Sequence, residues 1–453
     1  MALENFAVRT PLVALPVLIA LLACAEGGKN ANQRGVGDEP GGVKLGIGDI
    51  AVAPQGGYVI FSNADRLAVA WPDQGSVAEL PVRAPTRLAF SKARPVVYVG
   101  SFDPGSKLVA IDVAERKKLW ASALDDAAVS RLRLESSKDD RFIVAGSTNR
   151  LTVFDAADGS VTSQHAFSQA IIDVEILPDS RRALVVTDHE WPSGSTRPVS
   201  ELVVIDLEAG GEHHFSVPNC ADDVAVTPDG TRAFLAPTRC SKDPVSVIEL
   251  SPGSEHFERN LPGFGPVALA PNGRTAVAFL DGYNVDRSLF DDPAKIPPGG
   301  LDQPRYHLMV IDTATLGYDF AAAFETLPRY AMTPSGQMLL VDSSFTFNDS
   351  LRLFDLPTRE FRSLSGPSVE LDNFVLSSNS EHAYVLFAGL FDVDLPGAAV
   401  REIDTPFEPQ NINIAADDKS LYLRRDQNHV CVFDLETRRC QRELTYAPAL
   451  VNP

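Results

Sequence analysis

Apolar residues in this chain recur in short alternating bursts divided by turn-forming clusters, and the pattern is plainest over residues 223–235. Val224 and Val226 alternate with Ala225, the two-residue period of a strand. Pro228-Asp229-Gly230 then supplies turn chemistry: proline presets its torsion, aspartate can bond its own backbone, and glycine accepts positive φ. Apolar residues resume at Ala233-Phe234-Leu235, and residues 245–250 read as a third strand. A module this small cannot bury its own faces, so it must stack on neighbours.

Copies of the module follow one another along the chain, with first strands at Ile50, Leu88, Leu132, Val174, Val224, Val267, Tyr330, Phe374 and Ile412. The third strand of most copies ends on an acid, as at Asp112, Asp155, Asp206, Asp312, Asp355 and Asp434. Acids recurring in register suit turn organisation through backbone hydrogen bonds better than catalysis, because one active site does not need six copies. A weaker fourth strand precedes each new copy, and the spacing runs from about 37 to 63 residues, against roughly 40 to 50 for four-stranded propeller blades.

This pattern resembles the YVTN and WD40-like β-propeller repeat families from about Gly46 to the C-terminus. The resemblance implies an all-β propeller of four-stranded blades over residues 49–453. Nine copies against the usual four to eight blades leave the number at eight or nine. An open β array or two smaller propellers is the alternative. Propellers host unrelated activities, so the likeness implies no particular function.

Charge narrows the partners. Sixty acidic against 40 basic residues, a net charge of −20, oppose a nucleic-acid partner and adsorption to anionic lipid, and favour solubility. The N-terminus differs in kind. Residues 11–23 are apolar and follow Arg9, but as a helix they would span only about 20 Å, short of a bilayer core of roughly 30 Å. They read as the apolar segment of a secretory signal. Leu21-Leu22-Ala23-Cys24 resembles the bacterial lipobox, which implies a signal peptide over 1–23 and a diacylglycerol on Cys24. Glu4 and Pro16 depart from that pattern and leave plain secretion or an uncleaved anchor open. Ala25, by resemblance to the enterobacterial sorting rule, favours the outer membrane over a secreted or periplasmic product. Residues 24–48 then read as the lipidated cysteine and a flexible tether.

Four further cysteines suit an exported protein. Cys220 and Cys240 flank the hairpin at Gly230, and Cys431 and Cys440 flank the Leu435-Glu436-Thr437-Arg438 turn. Opposed positions on antiparallel strands come close enough for a disulfide. Two pairs of free thiols are the alternative, and zinc lacks its usual spacing.

Hydrolase, nucleotide-binding and haem motifs are absent from the sequence. His213-His214 reads as an exposed pair on an outer strand, and Asp281, Asn284 and Asp286 form an acidic loop without the spacing of a calcium site. No catalytic residue, metal site or cofactor is assigned, with Ca2+ or another divalent metal as the alternative. Aligning the copies is more informative. The residues just ahead of the first strands are Asp49, Arg87, Arg131, Asp173, Asp223, Pro266, Arg329, Asn373 and Asn411. The family fold implies that they ring one mouth of a central channel, where a small polar ligand or a self-compensating salt-bridge ring would sit. Long insertions fall between the second and third strands, carrying His189, Trp191 and Tyr283, and superposed repeats put them on one face. The function expected is a binding or scaffold module for a protein or glycan at the bacterial envelope. A lactonase-like, metal-dependent hydrolase at the channel mouth is the alternative.

Overall fold

The computed structural model describes residues 43–44 and 50–446 except 64–65, 103–104, 125–131, 191–197, 218, 222, 238–243, 254, 284, 291–295, 297–305, 343–350, 368, 370 and 372. These form 37 strands in nine antiparallel sheets. Each sheet contains four strands consecutive in sequence, so every connection within it is a hairpin. Blades 1 to 9 cover residues 50–83, 85–123, 133–166, 171–217, 223–261, 264–324, 329–363, 373–403 and 411–445. Each sequence copy is one blade, and the propeller has nine.

Blade 5 shows why the local sequence folds this way. Its first two strands, Asp223–Val226 and Arg232–Ala236, pair with Asp223 opposite Ala236 and Val226 opposite Ala233. Thr227 N–H donates to Arg232 O at 2.9 Å, and Asp229 Oδ1 accepts from Thr231 N–H at 3.1 Å. Gly230 takes φ 71°, in the left-handed region that favours glycine. The third strand, Val245–Glu249, and the fourth, His256–Leu261, complete the sheet.

The core lies between blades. Nine apolar clusters each draw side chains from two sequence-adjacent blades, or from blades 9 and 1. Between blades 3 and 4, for example, Val144, Leu151 and Val153 meet Val174, Val185 and Val203. Burying one such side chain is worth roughly 1.5–3 kcal/mol, so an isolated blade would forfeit most of its stability on both faces.

Polar contacts repeat along the seams. In blades 5, 6 and 7 the first turn places Gly230, Gly273 and Gly336 on Pro178, Pro228 and Pro271 of the preceding blade. A Cβ on those glycines would fall 3.2, 3.0 and 2.9 Å from the prolines. In two other seams an acid stands at the glycine position and takes the N–H groups of the preceding turn, and in blade 8 the Ser380 hydroxyl accepts from Ser335 N–H at 2.7 Å. Asp140 accepts from Lys92 N–H and Ala93 N–H at 2.7 and 2.8 Å, and Asp418 from Ser378 N–H at 2.9 Å. A second contact caps the carbonyls after the next blade's third strand. Trp120 Nε1 donates to Ala156 O at 3.2 Å, Arg232 Nη1 to Ala314 O at 2.9 Å and Arg362 Nη1 to Pro396 O at 3.1 Å.

The ring closes by the same means. Phe61, Ala68 and Ala70 of blade 1 pack with Tyr422, Val430, Val432, Leu444 and Tyr446. Arg442 caps Pro72 O, Asn413 Nδ2 donates to Ile50 O at 3.2 Å, and the Tyr446 hydroxyl donates to Glu79 Oε2 at 2.8 Å. No strand is exchanged between the two ends among the described residues. First strands of successive blades approach one another and are therefore the inner ones. One inner edge is occupied: Val43–Lys44, within the stretch expected to be a tether, pairs with Pro85–Phe90 as a fifth strand of blade 2.

Cys431 and Cys440 form a disulfide with Cα atoms 5.7 Å apart. They are not an opposed pair, which corrects the sequence expectation. Cys431 faces Glu443 and Cys440 faces Phe433, and a bulge between Val432 and Phe433 brings the two sulfurs together across the strands. Cys220 is disulfide-bonded, and Cys240 lies outside the described residues.

Two outcomes follow from the seam and the bridge. Tyr446 is 4% exposed. Tyr446→Ala is expected to cost roughly 3–5 kcal/mol by opening a cavity, and Tyr446→Phe, which loses the hydroxyl's bonds to Glu79 and Arg66, about 1 kcal/mol; chemical denaturation of both variants measures the difference. Cys440→Ser removes a short covalent loop and should cost about 2–3 kcal/mol, with the Cys431–Cys440 peptide pair of the wild type recovered intact by mass spectrometry without reductant.

Candidate functional site

One position on each inner strand lies four residues ahead of the residue that opens the first turn. In blades 2, 4, 5, 7 and 8 this is Arg87, Asp173, Asp223, Arg329 and Asn373, each placed by the turn bond from Ser91, Leu177, Thr227, Thr333 or Ser377. Asn411 holds the place in blade 9 through Ala415. In blade 3 the equivalent bond runs from Ser137 N to Phe142 O, which puts Arg133 in the position expected for Arg131. The sequence count slipped because Leu132-Arg133-Leu134 has the alternation of a strand start. Arg131 and Asp49 lie outside the described residues.

Several of these side chains turn to the neighbouring blade. Arg133 Nε donates to Ile172 O at 2.9 Å, and Arg329 Nη1 to Leu371 O at 3.1 Å. Asp342, opposite Arg329, accepts from Leu371 N–H at 2.7 Å, so the pair grips both polar groups of one residue. Asp173 and Asp223 are buried. Two residues beyond Arg133, Glu135 accepts from Ile176 N–H at 2.6 Å. Burial, with Glu175 nearby, holds its carboxyl well above the usual range.

Because first and second strands are antiparallel, loops after the second strand open on the side where the first strand begins. The insertions at 188–199, 282–305, 102–106, 237–244 and 343–351 all take that position. In the first, His189 Nδ1 stands 3.0 Å from Asp188 Oδ1, and Trp191 lies outside the described residues. In the blade 6 insertion, residues 282–283, 285–290 and 296 are described. Asp281 O accepts from Val285 N–H at 3.0 Å, and Asp286 caps the 3-10 turn Arg287–Leu289 through Ser288 N–H. Phe290 packs on Leu280 with Val285, Ile296 and Phe320 around it. Tyr283 is left 52% exposed, more than any other large apolar side chain described. Asn284 lies outside the described residues, which contain no group of three His, Cys, Asp or Glu able to hold a metal.

The recurring acids organise turns, as their register implies. Asp112 accepts from Glu115 N–H at 2.8 Å, Asp155 from Ala157 N–H, Asp206 from Ala209 N–H and Asp355 from Thr358 N–H. Bonds from Thr315 and Thr437 hold the Asp312 and Asp434 carboxyls below their ordinary value.

The His213-His214 pair is exposed on the outer strand, as expected, and each ring also has partners. His213 stacks near Phe215, with ring centres 4.4 Å apart. His214 Nδ1 lies 2.8 Å from Glu201 Oε1, and its Nε2 lies 2.9 Å from Glu212 Oε2. Glu212 also meets His165, a residue of blade 3 that sequence reasoning passed over, at 2.5 Å. Its partners come from two blades, so no local pattern in the chain marks the network. The bond to Glu201, then that to Glu212, raises the His214 pKa above 6.5. The bond from His165, then that from His214, lowers Glu212 below 4.5.

No family model matches the chain, and no curated protein matches it. Solved structures do. A eukaryotic initiation factor aligns with TM-score 0.52 and 14% identity over 75% of this chain and 82% of its own. The dihydro-heme d1 dehydrogenase NirN aligns with TM-score 0.49 and 13% identity over 91% and 77%. Kuenenia stuttgartiensis hydrazine synthase aligns with TM-score 0.41 and 15% identity over 82% and 97%. At these identities the likeness is one of fold alone.

The His214 network has a defined pH signature. A raised histidine contributes stability that is complete below its unfolded value of 6.5 and is lost as pH rises through its folded value. Glu212 contributes above 4.5 and loses its share as pH falls through its depressed folded value. The shared window is therefore about pH 4.5 to 6.5, set by these two unfolded values. Between pH 6 and 8 the wild type should lose more thermal stability than His214→Gln, and parallel melting curves for the two would contradict the coupling.

Proposed function

We propose that the protein is an exported, lipid-anchored scaffold that binds a protein or glycan of the cell envelope through the face bearing the second-to-third-strand insertions. The observation that carries this reading is the packing of residues 285–290 at the start of the blade 6 insertion. Phe290 anchors it and Asp286 caps its short turn, while Tyr283 stays out in solvent. A segment held in place before binding loses less entropy when a partner arrives, and an exposed tyrosine offers a large contact at little conformational cost. Insertions gathered on one side of a rigid repeat scaffold are a common place for recognition.

Export is supported by the Leu21-Leu22-Ala23-Cys24 resemblance and by a disulfide, which suits an oxidising compartment. The charge of −20 fits a soluble domain held near a membrane through its anchor rather than by adsorption. A metal-dependent hydrolase at the channel mouth draws less support. Arg133 and Arg329 donate to neighbouring blades, and Asp173 and Asp223 are buried.

The test is recovery of partners from envelope extracts, and of glycans from an array, by the purified protein. Replacing Tyr283 and Trp191 with alanine should weaken binding at least about 30-fold, the scale of an interface hot spot. Equal recovery by the variant and the wild type would count against this face.

A further inference from the structure

The outer rim of the seam between blades 3 and 4 brings together a serine, a histidine and a carboxylate. Ser163 and His165 stand two residues apart on the last strand of blade 3, Val161–Ala166, so both side chains take the same face. Ser163 Oγ is 2.9 Å from His165 Nε2. His165 Nδ1 is 2.5 Å from Glu212 Oε1 on the last strand of blade 4, Glu212–Val217.

The carboxylate decides which way the protons run. Ionised Glu212 can only accept, so His165 Nδ1 carries the hydrogen and donates it. Neutral imidazole then has its lone pair on Nε2, and the Ser163 hydroxyl is the donor to it. Hydrogen bonds from His165 and His214 favour the ionised form of Glu212. The His165 side chain is 3% exposed, which holds its ring in place, whereas Ser163 is half-buried. Beside the serine runs Gly210-Gly211. A Cβ on Gly210 would come 3.6 Å from Ser163 Cβ, and one on Gly211 would meet nothing within 4 Å. The approach there is bordered by glycine backbone.

We propose that Ser163, His165 and Glu212 form an acyl-transfer centre that hydrolyses carboxylic esters of small acids, independent of the insertion-bearing face. Ser163 Oγ attacks the ester carbonyl carbon, its proton passes to His165 Nε2, and the carbonyl π pair moves onto oxygen. Collapse of that adduct breaks the carbon–alkoxide bond, and the leaving oxygen takes the proton from Nε2 and departs as alcohol. Water then gives a proton to Nε2 and attacks the acyl carbon. Breaking the bond to Ser163 releases the acid, and the serine oxygen recovers the proton. Glu212, a positioning residue, stabilises the imidazolium through Nδ1–H in both halves. Water is the only co-reactant.

The test uses the full-length protein with a fluorophosphonate probe and with p-nitrophenyl acetate. The expected result is a phosphonyl adduct mapped to Ser163 by peptide mass spectrometry and absent from Ser163→Ala. Ester turnover should fall at least about 10²-fold in His165→Gln and in Glu212→Gln. In Glu212→Gln the loss should lie in kcat with KM unchanged. That variant is near-isosteric at a side chain 33% exposed, so it should keep the fold if His165→Gln does not. A folded wild type that leaves Ser163 unlabelled would overturn the proposal. Equal kcat for wild type and Glu212→Gln would do the same, leaving the three residues as a seam contact only.

Discussion

Each blade is a four-stranded sheet with apolar side chains on both faces, and water is excluded only if both faces are covered. A line of such sheets would always leave two faces bare, one at each end. Bringing the ends together removes both costs at once, and the cluster between blades 9 and 1 is of the same kind as the other eight. The ring, the channel and the common loop face are consequences of that single requirement.

Polar contacts then choose the geometry at which the apolar faces meet. At the first turn the two solutions are complementary. At Pro228, which has no N–H, Gly273 allows close apolar contact, while the N–H groups of Lys92 and Ala93 are taken by Asp140 and that of Ser335 by the Ser380 hydroxyl. At the third-strand turn, Trp120, Arg232, Arg362 and Arg442 make one contact with different chemistry. The repeat therefore preserves where a donor must be rather than which residue supplies it.

That distinction explains what could be read in the chain. The strand-turn-strand module was visible because alternation and turn chemistry are local, and the nine first strands were found at the right places. The third-strand acids were legible for the same reason, since Asp206 serves its own turn. Two misreadings came from local irregularities. Leu132-Arg133-Leu134 looks like a strand start, so the ring position was taken as Arg131, and the bulge after Val432 was invisible from spacing alone. The contact between His165 and Glu212 joins residues 47 apart in sequence, and neither strand's pattern contains it. Of the proposed binding face, the placement of the insertions was legible. The packing of Phe290 against Leu280 was not, because that loop has no period.

Function on such a scaffold sits where the closure requirement is weakest, in loops that leave the ring and on rims the seams do not seal. Closure itself is open to direct measurement. A Cβ on Gly56 of blade 1 would lie 3.5 Å from Ala416 Cβ of blade 9, within disulfide range. The double variant Gly56→Cys with Ala416→Cys, oxidised in the native state, should form an intramolecular bridge and migrate as a compact covalent circle on non-reducing gels, returning to normal mobility on reduction. Failure of these two cysteines to join in the folded protein would contradict a closed nine-bladed ring.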